Sequence, residues 1–369
     1  MIKVLHIING ADLGGISTFL LTYYSRMDRE QFHFDFIYSL EQPLGYNGER
    51  LQELGAEFFY VPVKSKHPFI HIREVSRIIK EGGYEAVHVH SGYTSWLVLL
   101  IAKMNGVTKR FAHAHNAIKG KLEKIEAIKR WTGIRLIKKY ATVRIACSTD
   151  AAEFTFRELP SETNNVVMIP NSIVMEKFLF NEEAREETRK ELGISETSFV
   201  IGTVGRMTEE KNQIKLVEVF AELRKKISNV CLVLVGDGDQ KERIGNAVKD
   251  YGLTNQTIFT GKRSDVFRLL NAFDAFCLPS FYEGFPISAL EALANGLPLI
   301  LSNTITRELE IFKNVSYVSL EDTDEKWADK IIELFKCQNR TDEFNRTILL
   351  NQYNIESSVK KLENLYKGK

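Results

Sequence analysis

Cysteine is scarce: Cys147, Cys231, Cys277 and Cys337 are the only four in 369 residues, far apart and without a CxxC pair. That excludes a disulfide-stapled scaffold, and with no histidine close to any of them it offers no structural zinc site. Charge of one sign is also missing. Lys and Arg number 49 against 48 Asp and Glu, a net of +1, so overall electrostatics make no case for nucleic acid. No long apolar run occurs; the longest, Trp96 to Ala102, falls far short of the ~20 residues a membrane helix needs. The opening MIKVLHIING has no basic-then-long-apolar leader. The expectation is a protein not integral to a membrane, working in a reducing, cytoplasmic compartment. Two glycine fingerprints are absent as well. GxGxxG and GxxxxGK[ST] do not follow the first strand, which removes support for a nicotinamide site and for an NTPase P-loop.

What is present is ordinary in bulk and organised in detail. A hydrophobic fraction of 44% with 26% charged residues suits a globular chain, and 369 residues exceed what one core usually serves. Short β-branched runs alternate with amphipathic stretches, the pattern of βαβ units and parallel sheets. Strands are predicted near 2–8, 32–38, 57–61, 86–90, 109–114, 142–147 and 165–169, with helices near 15–26, 47–54, 70–81, 93–104, 119–140 and 149–158. A breaker cluster, Pro170-Asn171-Ser172, and a charged stretch, Asn181 to Glu191, interrupt the series. It then restarts with strands near 198–204, 230–235, 257–260, 273–278, 297–301 and 315–319. The reading is two doubly wound domains, 1–170 and 171–350, facing across a cleft, with ligands at strand C-terminal ends. Residues 340–369 read as polar helix with no strand to pair; 351–369 form a last helix.

The sharpest motif is Glu283-Gly-Phe-Pro-Ile-Ser-Ala-Leu-Glu291 after the strand DAFCLPS. Pro286 suits a first helical turn, and Asn295-Gly296 with Pro298 suits its end. Glu283 then precedes a helix N-terminus whose N–H groups are poised for sugar hydroxyls or phosphate. Glu291 sits inside that helix among Ala289, Leu290, Ala292 and Leu293, too apolar a neighbourhood for a merely solvated carboxylate. A second strand-to-helix loop, Gly202-Thr-Val-Gly205-Arg206-Met-Thr-Glu-Glu-Lys211-Asn212, carries two cations five residues apart. Arg206 can bind an anion bidentately while Lys211 adds a point charge. Asn9-Gly10-Ala-Asp-Leu-Gly14-Gly15-Ile-Ser17 follows the first strand, where glycine permits close backbone approach.

Three further features point less directly. Val235-Gly236-Asp237-Gly238-Asp239 is a turn whose D-x-D looks like a metal-holding pair, as does Asp322-Thr-Asp324, but neither has further ligands in view, so no metal is assigned. His88-Val-His90 and His113-Ala-His115 end two successive strands, and alternation puts each pair on one face. All eight histidines precede residue 116. Polar contacts in the cleft are expected of the strand-end pairs rather than a metal. Residues 119–139 carry a net charge of +6, with apolar residues every third position from Leu122 through Trp131 to Ile137. That composition fits an interfacial helix drawn to anionic lipid, or equally a packed helix with a basic outer face.

Taken together these residues resemble the retaining glycosyltransferase family 4, which has the GT-B fold. The matching elements are Gly14-Gly15, His115-Asn116, Ile169-Pro170-Asn171-Ser172, Gly205-Arg206 with Glu210-Lys211-Asn212, Val235-Gly236-Asp237-Gly238, Pro279-Ser280, and Glu283-x7-Glu291 within EGFP and EALANGLP. The resemblance implies an enzyme moving a hexose or N-acetylhexosamine from a nucleotide-sugar, by family frequency a UDP-sugar, to a cell-surface glycan precursor. It implies an N-terminal acceptor domain, a C-terminal nucleotide-sugar domain, a last helix crossing back to the first domain, no cofactor and no essential metal. Arg206 and Lys211 would grip the diphosphate, Glu291 the ribose hydroxyls and Glu283 the donor sugar. Gly14, Gly15, Gly205, Gly236, Gly284, Phe285 and Ile287 would border the substrate. Lys262 or Arg263 would lie beside the base, and His115 would face the reacting sugar. One departure stands at the crossover, where Val174 follows Ile173 in place of the Asp often found there. A nucleotide-sugar epimerase on the same fold, or a non-catalytic sugar-nucleotide binder, are the rival readings. The epimerase would turn over donor without acceptor.

Overall fold

The computed structural model describes residues 1–39, 44–117, 124–159, 166–336, 340 and 343–368. The chain divides into two compact units: Met1–Ser172 with Ile355–Lys369, and Ile173–Asn354. The first contains β1 (Ile2–Ile7), α1 (Gly15–Tyr24), β2 (Phe32–Tyr38), α2 (Gly45–Glu53), β3 (Phe58–Tyr60), α3 (Pro68–Gly82) and β4 (Ala86–Val89). It continues with α4 (Trp96–Met104), β5 (Lys109–Ala114), α5 (Lys124–Tyr140), β6 (Val143–Ala146), α6 (Thr149–Phe156) and β7 (Val166–Met168). All seven strands are parallel, in the order β3-β2-β1-β4-β5-β6-β7.

The second unit contains α7 (Glu182–Glu191), β8 (Phe199–Val204), α8 (Gln213–Lys226), β9 (Val230–Val235), α9 (Lys241–Asp250), β10 (Thr257–Gly261) and α10 (Val266–Ala272). After these come β11 (Ala275–Leu278), α11 (Ile287–Ala294), β12 (Leu299–Ser302), β13 (Val315–Val318), α12 (Asp324–Lys336) and α13 (Glu343–Gln352). Its six parallel strands run β10-β9-β8-β11-β12-β13. The final helix, α14 (Ile355–Lys367), belongs to the first unit.

Both sheets have the residue pattern that burial on two faces demands. β9 reads VCLVLV and every residue is buried, while β1 and β5 are buried over their last four. Such continuous apolar strands suit a parallel sheet covered by helices on both sides. In the first unit α3 packs on α4 and α4 on α5, forming one layer, while α1 meets α2 and α14. α14 docks through buried Ile355, Val359, Leu362 and Tyr366, with the Ser358 and Ser172 hydroxyls 2.8 Å apart. With no strand following it, that helix buries its apolar face on the helices and sheet of the first unit.

Each strand order reverses once, between β1 and β4 and between β8 and β11. At such a switch point adjacent loops leave in opposite directions and open a crevice at the strand C-terminal ends. The loops after β1, β8 and β11, which carry Gly14-Gly15, Arg206 with Lys211, and Glu283, fall there.

Candidate functional site

In the second unit the loop after β8 carries Gly205, Arg206 and Lys211, and the loop after β11 carries Ser280, Glu283, Gly284 and Phe285. Asn212 closes the first loop in the left-handed region at φ 51°, a conformation asparagine tolerates better than most residues. Its Nδ2 donates to the Pro279 carbonyl at 3.2 Å, and the Phe281 N–H donates to the Glu210 carbonyl at 2.8 Å, so the loops are stitched together. The result is an ion pair across the switch point. Lys211 Nζ donates to Glu283 Oε1 at 2.5 Å, and the Ser280 hydroxyl donates to the same oxygen at 2.8 Å. Ser280 is held in turn through its carbonyl, which accepts from the Ser302 and Thr304 hydroxyls. Arg206 lies apart from this pair. Its side chain is 65% exposed, with Glu210 at 3.9 Å.

A third loop, after β9, completes this edge. Gly236 sits at φ 136°, and a Cβ there would fall 2.0 Å from the Gly205 carbonyl oxygen. Only glycine lets the two loops approach so closely. Asp237 receives the Gly238 N–H at 2.9 Å and pairs with Lys241 at 3.3 Å, which holds its carboxyl below the usual carboxylate range. Lys262 lies within electrostatic reach of Asp237. Arg263 is committed elsewhere: its guanidinium donates to Asp265 at 2.7 Å and to Glu191 at 2.8 Å. Asp322 and Asp324 belong to a different corner, salt-bridged to Lys326 and Lys215 respectively.

Glu291 lies on the second turn of α11, whose first helical residue is Ile287. The side chain is half-buried by surface, yet enclosed tightly enough that burial pushes its carboxyl up to about 8, with the Lys177 ammonium opposing. A carboxylate expected to accept from hydroxyls is thus held largely neutral at pH 7 before any ligand arrives. Phe285, 4% exposed, stacks on Tyr353 at 5.2 Å and fixes the start of α11. Neither Lys177 nor Ser280 was singled out for a role by the sequence. Lys177 lies 114 residues before Glu291, and no local spacing could link them.

In the first unit, Gly14 and Gly15 begin α1 beyond β1. A Cβ at Gly15 would meet nothing within 4 Å, so the chain's own packing does not demand glycine there. The Ser17 hydroxyl donates to the carbonyls of Asp12 and Gly14, tightening the turn. His115, half-buried, lies just past β5. Burial holds its imidazole far below the ordinary histidine range, at about 3. Its Nε2 is 2.8 Å from His90 Nδ1. His88 and His113 join the same face, with Nε2 to Nδ1 at 3.2 Å, and so does His6, which the sequence pattern left out of the strand-end pairs. Residues 118–123, including Lys119 and Lys121 of the basic stretch, lie outside the described residues. The rest of that stretch is α5, with Ile125, Ile128 and Trp131 exposed and Ile134 and Ile137 buried. No helix among the described residues is long and apolar enough to cross a membrane.

Two parallel, doubly wound units, each with one reversal of strand order, make up the GT-B fold. Residues 13–177 match the model of Glycosyltransferase Family 4 and residues 184–364 that of Glycosyl transferases group 1. The chain is 32% identical over 369 residues to the Bacillus subtilis (strain 168) glycosyltransferase EpsF, covering 99% of this chain and 96% of that one. It is 26% identical over 393 residues to the Escherichia coli UDP-Gal:alpha-D-GlcNAc-diphosphoundecaprenol alpha-1,3-galactosyltransferase, with 99% and 96% coverage. Anabaena HepE, solved in complex with UDP and glucose, shares the fold at a TM-score of 0.81 and 17% identity over the whole of both chains. The chain belongs to the family 4 glycosyltransferases, enzymes of EC class 2.4.

Proposed function

We propose that this glycosyltransferase moves a hexose or N-acetylhexosamine from a UDP-sugar to a cell-surface glycan precursor, with retention of configuration and without a divalent metal. The observation that carries the reading is the Lys211–Glu283 pair, 2.5 Å across the switch point of the second unit. A nucleoside diphosphate is the leaving group, and the transition state moves negative charge onto it. Lys211, with the projecting Arg206, is suited to stabilise that charge more than it stabilises the ground state. Glu283, relieved of Lys211, accepts from donor-sugar hydroxyls, and Glu291 accepts from the ribose. Gly15 lends its backbone N–H to phosphate or sugar, and His115 meets the reacting sugar. Gly14, Gly205, Gly236, Gly284 and Ile287 line the path, and Lys262 serves the base in preference to Arg263. UDP in the HepE complex and UDP-Gal in the name of the Escherichia coli relative support the choice of nucleotide.

Metal independence rests on the chemistry of the groups present. Asp237 and Asp322 each hold a lysine partner and a backbone N–H, and no third carboxylate joins either among the described residues. Retention rests on the family resemblance. The acceptor reading draws on the lipid-linked diphosphate in the Escherichia coli relative's name and on a Staphylococcus aureus relative named for capsular polysaccharide biosynthesis. A peripheral contact with the cytoplasmic leaflet is supported by α5, where Ile125 and Ile128 are 69% and 65% exposed beside Lys124 and Lys129. Phe69 and Ile70, exposed at the start of α3, belong to the same helical layer.

The deciding experiment incubates the protein with a panel of nucleotide-sugars and a polyprenyl-diphosphate-linked acceptor, reading nucleoside diphosphate release and product anomer. UDP-sugar turnover dependent on acceptor is expected. Turnover of donor without acceptor would favour an epimerase, and an inverted product would remove retention.

A further inference from the structure

Five histidines and Tyr366 crowd one face of the first sheet, and the distances sort them into two strings. In one, Tyr366 Oη is 2.6 Å from His88 Nδ1, and His88 Nε2 is 3.2 Å from His113 Nδ1; this string ends inside the unit at a buried His113 Nε2. In the other, His6 Nδ1 is 3.0 Å from His90 Nε2, and His90 Nδ1 is 2.8 Å from His115 Nε2. The second string alone reaches a half-buried ring, and His115 Nδ1 has no partner among the described residues. Ligand nitrogens of His6, His88 and His90, and of His90, His113 and His115, lie within 4.8 Å of one another. A divalent ion there would leave its double charge buried among neutral rings with no carboxylate in the group, and the short N···N contacts already satisfy one another.

Burial keeps these imidazoles uncharged, and a neutral imidazole carries one N–H and one lone pair. The string is therefore polarised end to end. Either every ring donates toward His115, or every ring donates toward His6. The closed end decides between them. His6 Nε2 is buried without a partner, with the Phe34 and Phe36 rings 4.2 and 5.3 Å from the imidazole. Polarity toward His6 would strand an N–H there, whereas polarity toward His115 strands a lone pair, and buried orphan N–H groups are the rarer and costlier case.

We infer that His6 and His90 are positioning residues that hold His115 as its Nδ1–H tautomer, so that His115 offers the substrate a hydrogen-bond donor and no lone pair. The consequence builds on the reading that His115 faces the reacting sugar. In this tautomer His115 donates to a hydroxyl or phosphate oxygen of the nucleotide-sugar. It does not take the proton of the incoming hydroxyl unless all three rings reverse.

The test labels the full chain with ¹⁵N-histidine and reads ring tautomers from long-range ¹H–¹⁵N correlations, with the His115 signals assigned by their loss in His115→Gln. The Nδ1–H pattern is expected; an Nε2–H pattern at His115 overturns the proposal whatever the variants do. Two substitutions then separate donor geometry from packing. His90→Asn keeps an amide donor where Nδ1–H stood and should retain the tautomer and most of kcat/KM. His90→Gln moves the donor toward the Nε2 side and should mix the tautomers and lower kcat about fivefold to tenfold, the worth of one hydrogen bond. Rescue by Gln instead of Asn would reverse the assigned polarity and refute it. Full activity in His115→Ala would remove the contact with substrate while leaving the tautomer result standing, so the two failures are told apart.

Discussion

Replacing Lys211 by alanine removes one cation from two partners, Glu283 before donor binds and the departing diphosphate during transfer. At 2.5 Å the gross attraction of the pair is about 6–7 kcal/mol for an effective dielectric of about 20. Desolvation offsets much of that. The side chains are 20% and 11% exposed, between the surface case worth about 0–1 kcal/mol and the fully buried case costing about 3–5 when broken. A destabilisation of about 2 kcal/mol follows, or a Tm lower by about 4–8 °C for a unit of this size. The kinetic loss should be larger, on the order of 3 kcal/mol, or 10²-fold and more in kcat. The two effects separate in a cycle with Glu283→Gln, read by nucleoside diphosphate release and thermal unfolding. If Lys211 only neutralises Glu283, its removal should cost nothing further in kcat once Glu283 is an amide. A phosphate clamp still loses about 10²-fold in that background. Wild-type-like kcat/KM in Lys211→Ala, or a kinetic effect that vanishes in the Glu283→Gln background, refutes the assignment.

Glu291 should make both stability and nucleotide affinity depend on pH. Its folded carboxyl is raised to about 8 from the model-peptide value of 4.5, so the stability it contributes is complete below about 4.5 and lost as pH rises through about 8. Glu291→Gln should therefore stabilise the ligand-free protein at pH 8, and UDP binding to wild type should release a proton near pH 7, measurable by calorimetry in buffers of different ionisation enthalpy; no buffer dependence would count against it. Asp274 accepts from Arg185 at 2.6 Å, Arg189 at 2.7 Å and the Val200 N–H at 2.7 Å inside the second unit. Asp274→Asn should cost about 3–5 kcal/mol in urea unfolding, and a loss under 1 kcal/mol would show the guanidiniums have other outlets. Transfer should survive EDTA, and loss restored by manganese or magnesium would return a metal to the site. The wild-type chain should sediment with anionic liposomes at low salt, and Ile125→Ser with Ile128→Ser should release it; indifference to such vesicles would point to an acceptor brought from solution.

Sequence alone determined whatever depends on neighbours along the chain. Strand, glycine-bearing turn and helix start form a local unit, so β8 with Gly205 and Lys211, and β11 with Glu283 and Pro286, were legible as strand-to-helix loops. Continuous apolar runs such as VCLVLV announced buried parallel strands for the same reason. Apolar residues at every third position precess around a 3.6-residue helix, so α5 cannot bury Ile125, Ile128, Trp131, Ile134 and Ile137 on one face, and the first three are exposed. Contacts closed by strand order were not legible. Lys211 and Glu283 are 72 residues apart and meet because β8 and β11 are neighbours at the reversal of the sheet. The apolar neighbours of Glu291 in sequence spoke against a merely solvated carboxylate, but the degree of enclosure that raises its carboxyl comes only from the packing around α11. His6 appeared as one polar residue in an apolar strand. Only the register that sets His6 beside His88, and His90 one step further along, turns it into the closed end of a string whose other end is His115.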